Sequence, residues 1–479
     1  MPHYTVSPGL LQGEIERFSI LSWNYSIVTR RRSDIMVART DPIVWGSCES
    51  MGQAPIKGAE REPMDRIKVG VFGGDRGRSI AENFMLLNAD IVAVCDSNPA
   101  AREKAAQAFG QGVAVYDNFD AFLDHGMDAV ILANFFHEHA PYAIRCLERG
   151  IHVYSECLSN GTMAEGVALI RAAEKSKAIY MLAENYPGMC MNLEMQRICR
   201  EGTLGKILYA EGEYNHPFDY ANPQHHKDLS PFPRHWRNWL PRTYYITHTL
   251  GPLMRATGAT PRRVTAFAAF APFEGDVPTV RQVGDRAANI TIQNDDGSIY
   301  RVGACSAYGG HHVAYRICGT KGSVESLRHT REILLRYNDW EKPEGAEEVS
   351  VYEPEWHDKD AELIKNSGHG GGDYIIAREF LDCIREGHQP AHPFDVHSAV
   401  TMASTAILAH RSVLANGQPF DIPDFHTESA RKAWENDHAS PFWGSDGTAP
   451  TLPCCSHTEF RPTDTQVRLF HELVMGEKV

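Results

Sequence analysis

Ile67-Lys68-Val69-Gly70-Val71-Phe72-Gly73-Gly74-Asp75-Arg76-Gly77 is the stretch that decides the fold. A short apolar run of strand type enters a turn crowded with glycine, and helical spacing follows over 79–87. The alternation then continues. Residues 90–95, 113–116, 128–133, 151–154 and 179–182 read as strands. Between them lie helices over 99–109, with Pro99 near its first turn, and over 141–149, ended by Gly150. Thr162-Met163-Ala164-Glu165 is a capping box that opens a helix to about Lys175. Continuous apolar strands between helices predict a parallel sheet covered on both faces.

The glycine turn has a chemical use. Glycine lets backbone N–H groups approach a pyrophosphate, and a helix N-terminus adds partial positive charge. Gly74 and Gly77 match the second half of GxGxxG, but Phe72 stands at the first position. Asp96 closes the second strand, 19 residues after Gly77. An acid there accepts hydrogen bonds from a ribose 2′-OH and repels a 2′-phosphate, which favours NAD over NADP. Asp96 also suits a helix N-cap, since Pro99 follows closely.

From about 187 the rhythm changes. One helix is expected over 191–201. Strands over 207–213, 263–270, 288–293, 300–307 and 314–318 then come with little helix between them. This predicts an α+β domain with a mostly antiparallel sheet. Two late helices, over 374–385 and 396–415, exit at Gly387 and Gly417. The fold class is α/β. The predicted order is an N-terminal extension over 1–65, a Rossmann domain over 66–186, an α+β substrate domain over 187–424, and a tail over 425–479.

The 479 residues carry 47 Lys+Arg against 61 Asp+Glu, a net charge of −14, which argues against nucleic acid or an anionic membrane as partner. No stretch approaches the ~18 apolar residues of a membrane helix. The 11 cysteines include no CxxC, and adjacent Cys454 and Cys455 cannot bridge one another without strain. Free thiols in a reducing compartment are expected. Arg30-Arg31-Arg32 leads into no apolar signal-peptide core, so a cytoplasmic enzyme is the default.

The chain resembles the Gfo/Idh/MocA oxidoreductase family over roughly 66–424, which implies a Rossmann domain followed by a domain with a large open, mostly antiparallel sheet where substrate binds. The matching pieces are the Gly73–Gly77 turn, the loop Asn134-Phe135-Phe136-His137-Glu138-His139-Ala140, His152-Val153-Tyr154-Ser155-Glu156, and Gly319-Thr320-Lys321-Gly322-Ser323. Family dehydrogenases usually carry Glu-Lys-Pro after the strand, with the lysine assisting proton transfer. Here the triplet is Glu156-Cys157-Leu158. A thiol cannot replace an ammonium as electrostatic partner.

A narrower resemblance rests on Leu182-Ala183-Glu184-Asn185-Tyr186, Gly212-Glu213-Tyr214, His235-Trp236-Arg237, Tyr245-Ile246-Thr247-His248-Thr249-Leu250-Gly251-Pro252 and Gly368-His369-Gly370-Gly371-Gly372-Asp373. It points to the branch that holds NAD-dependent glycoside hydrolases of the α-N-acetylgalactosaminidase type, which also lack the lysine. The resemblance implies a redox-neutral cycle: hydride leaves ring C3 for NAD, the C2 proton is lost, the C1 substituent is eliminated, water adds, and hydride returns.

On that implication, His248 is the acid/base, Tyr245 and Tyr214 are relays or C2 bases, and Glu184 orients or binds. The cofactor residues are Gly73, Gly74, Arg76, Gly77, Asp96, Asn134, His139, Glu156 and Trp236. His369 and Asp373 bind substrate. Plainer readings stay open. His248 suits a cap for a helix starting near Pro252, and the tyrosines and Trp236 suit packing. Glu184 suits an ion pair, and His369 and Asp373 suit a glycine-rich turn capping the helix from Tyr374.

The 23 histidines raise a divalent-metal alternative with Glu184 or Glu213, but no HxxxH-type spacing supports it and no metal is assigned. A net NAD-dependent sugar dehydrogenase and a non-catalytic nucleotide sensor remain the rival functions. The substrate partner is a small carbohydrate. Family members often pair through the open sheet, so a homo-oligomer is expected.

Overall fold

The computed structural model describes residues 66–477, so the extension expected over 1–65 lies outside them. The first half alternates strands and helices: β1 (Lys68–Phe72), α1 (Gly74–Leu86), β2 (Asp90–Cys95), α2 (Pro99–Phe109), β3 (Ala114–Tyr116), α3 (Phe119–Leu123), β4 (Ala129–Leu132), α4 (His139–Glu148), β5 (His152–Ser155), α5 (Met163–Lys175) and β6 (Tyr180–Leu182). The strands pair in parallel in the order β3-β2-β1-β4-β5-β6. This is the doubly wound arrangement, whose order reverses between β1 and β4, and its ligands bind at the carboxyl ends of the strands there. β4 is buried at every position, as the apolar sequence requires. Thr162 and Glu165 make both hydrogen bonds of the predicted capping box.

The second half opens with α6 (Cys190–Arg200), β7 (Ile207–Asn215), α7 (Pro223–Leu229) and α8 (Thr247–Thr257). Seven strands follow: β8 (Pro261–Phe270), β9 (Asp285–Asn294), β10 (Ile299–Ser306), β11 (His312–Gly319), β12 (Gly322–Ser326), β13 (Ile333–Tyr337) and β14 (Val349–Tyr352). Then come α9 (Ala361–Lys365), α10 (Gly372–Glu386), α11 (Val396–Leu414) and the short β15 (Phe420–Asp421). The nine strands run β14-β13-β12-β11-β7-β10-β9-β8-β15, and β7–β10 is the one parallel pair among them. The expected open, mostly antiparallel sheet is present. Its last hairpins, β12–β14, lacked a clear signal in sequence because they are short and half exposed.

Two expectations are corrected. The helix expected near Pro252 begins five residues earlier, at Thr247, and Pro252 lies inside it. A mid-helix proline cannot donate to the carbonyl four residues back, here that of His248. The Tyr315 hydroxyl donates to that carbonyl instead, at 2.5 Å, so the helix survives its proline. The stretch read as a tail from 425 carries α12 (Glu428–Trp434) and α13 (Asp464–Phe470), and it buries Phe425, Phe442, Cys454, Cys455 and Phe470. These apolar residues are spaced irregularly and all but Phe470 lie on loops, so they gave no period to read.

Among the described residues, no helix is long and apolar enough to cross a membrane. The ten cysteines described are all free.

Candidate active site

A cleft of about 990 Å³ opens at the carboxyl ends of β1, β2 and β4. That size is in the range of ligand pockets, ~300–1,000 Å³. One wall comes from the first sheet: Gly73, Asp96, Asn134, His139 and Glu156. The other comes from the second half, with Arg234, Trp236, Arg237 and Tyr245. No lysine lines it.

The turn after β1 is built for close approach. Gly73 has φ +98°, and a Cβ there would stand 2.3 Å from the Ala133 carbonyl oxygen. Gly77 fits against Val71 and is buried behind the turn rather than on the cleft. The Gly74 N–H donates to Asp96 Oδ2 at 2.6 Å, and the Asn98 N–H donates to Oδ1 at 2.8 Å. Asp96 therefore ties the glycine turn to the exit of β2, while the N-cap of α2 is Asn98. Each carboxylate oxygen keeps a second lone pair, and Asp96 lines the cleft. Asn134 Oδ1 is buried and has no partner among the described residues. A dinucleotide fits this wall: a crowded glycine turn, an acid at the strand end, and an unpaired amide oxygen. His139 Nδ1–H donates to the Leu158 carbonyl, 2.8 Å away, and burial lowers its pKa, so it is neutral.

Arg76 is set differently from expectation. Its Nε–H donates to Glu156 Oε1 at 2.7 Å and its Nη2–H to Asp373 Oδ1 at 3.0 Å. Asp373 also accepts from Asn185 Nδ2 at 2.7 Å and pairs with His369 Nδ1 at 2.9 Å. Burial would raise the Asp373 pKa, but the Arg76 charge and then His369 outweigh it and hold the carboxyl well below its ordinary range. Asp373 and His369 therefore brace Arg76 from behind the cleft. Asp373 lies in the first turn of α10 rather than capping it.

Three rings stack across the cleft. Phe136, from the loop after β4, lies 5.0 Å from Trp236 and 5.2 Å from Tyr245, nearly parallel to both. The Arg237 guanidinium sits 4.3 Å from the Trp236 ring centroid.

Tyr245 leads inward to a second layer. Its ring centroid is 5.0 Å from that of His248 and 6.0 Å from that of Tyr214. His248 stacks on Tyr186 at 4.0 Å. Glu184 is completely buried beneath them. Its Oε1 accepts from His248 Nδ1–H at 2.8 Å and from the Tyr186 N–H at 3.1 Å. The Cys157 thiol donates to Oε2 at 3.0 Å. Burial would raise the Glu184 pKa, but the His248 charge and hydrogen bond reverse the sign and leave it low. For Cys157, burial and then the charges of Glu184 and Glu156 push the thiol up, which keeps it protonated and able to donate.

The glycine of Thr247–Pro252 has a reason here. A Cβ on Gly251 would stand 2.9 Å from Glu184 Cγ. Burial raises Tyr245 and Tyr214 well above the ordinary phenol range, with Arg237 opposing the shift at both. Both hydroxyls therefore stay protonated at neutral pH.

The structure gathers Tyr245, His248, Tyr214 and Glu184 into one cluster, of which Tyr245 alone lines the cleft described above. Arg237 and Phe136 were not singled out, although both stand in the quoted motifs beside Trp236 and Asn134. Glu138, another lining residue, was also missed: burial and then Glu165 push it up to about 7. Among the described residues, no group of three or more His, Cys, Asp and Glu has metal-holding geometry.

Two family models match, one in each half of the chain. A model described as "Oxidoreductase family, NAD-binding Rossmann fold" matches 67–184, and one described as "Glycosyl hydrolase 109, C-terminal domain" matches 274–435. A glycosyl hydrolase family 109 protein of Streptomyces niveus is 27% identical over 433 residues, 83% of each chain. One of Shewanella sp. (strain W3-18-1) is 25% identical over 419 residues, 79% of this chain and 88% of its own. A solved levoglucosan dehydrogenase in complex with NADH and L-sorbose superposes with TM-score 0.63 at 21% identity, over 75% of this chain and 100% of that one. That likeness is one of fold.

Proposed function

From a chain that carries a Gfo/Idh/MocA NAD-binding domain followed by a glycosyl hydrolase 109 C-terminal domain, we infer an NAD-dependent enzyme that cleaves a glycoside without net oxidation. One observation carries this reading: Cys157 stands where family dehydrogenases keep lysine, and its thiol is committed to the Glu184–His248 pair.

Bound NAD supplies a hydride acceptor for a ring carbon and a donor for its return. The glycine turn, Asp96, Asn134, Glu156 and Trp236 hold it. The protein's own groups then handle protons. Glu184 is ionised and takes the Nδ1–H of His248, which leaves the other ring nitrogen as a base. Tyr245 stands between this base and the cleft, so it hands a substrate hydroxyl proton inward rather than keeping it. Ionising a buried phenol outright is unfavourable, so Tyr245 and Tyr214 act as relays and donors. Elimination builds negative charge on substrate oxygen. Arg237 on the cleft wall and the tyrosine O–H groups answer it. Asp373 and His369 act through Arg76, which fixes Glu156.

Incubation with a glycoside panel in deuterated water, followed by NMR, tests the reading. Exchange at C2 with aglycone release and no NADH accumulation is expected. Stoichiometric NADH with an oxidised free sugar would make the protein a net dehydrogenase. No turnover and no exchange across the panel would leave nucleotide sensing.

A further inference from the structure

The cofactor cleft has a third wall that lies outside both matched domains. Trp443, Gly444, Ser445 and Gly447 line it, beyond residue 435 where the C-terminal family match ends. We propose that residues 440–451 form a fixed strap that joins the two walls of the cleft and slows departure of the dinucleotide.

The loop is built as a closed ring. The Thr451 N–H donates to the Ser440 carbonyl at 2.8 Å, and the Ser440 N–H donates to Thr451 Oγ1 at 2.9 Å. Inside, Gly444 N–H reaches the Thr448 carbonyl and Gly447 N–H the Gly444 carbonyl, both at 2.9 Å. A compact loop whose ends meet and whose side chains pack is an Ω-loop, a kind that frequently carries function.

Its anchors reach both sides. Phe442 is 2% exposed and stacks on His137 at 4.6 Å, with Tyr244 at 5.3 Å. His137 belongs to the cofactor loop after β4. Burial lowers its pKa to about 4, so it is neutral, and its Nε2–H donates to the Trp443 carbonyl at 2.9 Å. On the opposite wall, the Arg234 guanidinium lies 4.0 Å from the Trp443 ring centroid, and Trp239 meets that ring edge-on at 5.9 Å. Trp443 Nε1 is buried with no partner among the described residues, on a side chain that lines the cleft. That nitrogen is sealed from solvent, so the strap meets a dinucleotide through the other atoms of Trp443 and through Gly444, Ser445 and Gly447, which line the cleft.

The inference rests on NAD as cofactor and not on redox-neutral cleavage, so its test contains no sugar. NADH is loaded on the full-length protein, and its release is followed by fluorescence during a chase with excess NAD. Trp443→Ala and Arg234→Ala are expected to speed release roughly three- to tenfold, with most of the change in dissociation. Trp443→Phe keeps the ring and should fall between them and the parent. Arg234 is exposed on the cleft wall, so Arg234→Ala keeps the test decisive where Trp443→Ala fails to fold. Unchanged release from Arg234→Ala and from a folded Trp443→Ala would overturn the strap.

Discussion

Glu184 Oε1 lies 2.8 Å from His248 Nδ1, with the glutamate shut off from solvent and the histidine nearly so. The pairing fixes which ring nitrogen holds the proton, and it joins two segments that are 64 residues apart. Glu184→Gln keeps the shape and removes the charge. Turnover should fall by about 10²-fold or more, as for other bases that lose their orienting carboxylate. Circular dichroism should stay unchanged. The low carboxylate pKa also has a stability consequence. Its contribution is complete above the ordinary glutamate value, ~4.3, and is lost as pH falls through the lower native value. Acid unfolding of Glu184→Gln should therefore be less steep. An unchanged kcat would remove the pair from the mechanism.

Cys157 is a donor here, not a nucleophile. Burial and two neighbouring carboxylates push its thiol up, and it is 5% exposed. Iodoacetamide at pH 8 should leave it unmodified in the native protein while the less buried Cys305 reacts. Peptide mass spectrometry reads both sites. Rapid labelling of Cys157 would contradict the assigned donor role. Cys157→Ala should destabilise by about 1–3 kcal/mol, because the buried Glu184 oxygen loses a partner.

Arg76 answers two carboxylates at once. Arg76→Met leaves Glu156 and Asp373 buried without their cation, a change that typically costs about 3–5 kcal/mol. Urea midpoints should show that loss at pH 7 and still at pH 5. Asp373 has a depressed native pKa, so the stability it contributes is present above ~3.9 and lost on further acidification. The gap between variant and parent should therefore narrow below pH 4. A loss under 1 kcal/mol at pH 7 would show that the bridge is not structural.

Glu138 sits on the cleft wall and titrates near neutrality, at about 7. Below that value it is neutral. Above it, a carboxylate faces an anionic dinucleotide. The Kd for NAD should therefore rise between pH 6 and 8, and Glu138→Gln should flatten the rise. Isothermal titration at both pH values checks it, and parallel profiles for the two proteins would reject it.

Periodicity alone carried much of the fold. Apolar strands of four to six residues between capped helices leave a covered parallel sheet as the packing solution, and the glycine turn after β1 placed the nucleotide site. The motifs also named most of the site's side chains, because a histidine, tyrosine or acid is visible wherever it stands. What the sequence could not show is which of them meet. Cys157, Glu184 and His248 come from three segments, and their contact depends on two sheets docking across one cleft. Arg76, expected among the cofactor residues, is also held by Asp373, 297 residues later, a partner that no local spacing shows. The strap over 440–451 has no period, since a loop held by one buried ring and a few backbone bonds repeats nothing. Local spacing determines secondary structure. Proton states and partners depend on burial and on charges brought near by folding, and only the tertiary structure decides those.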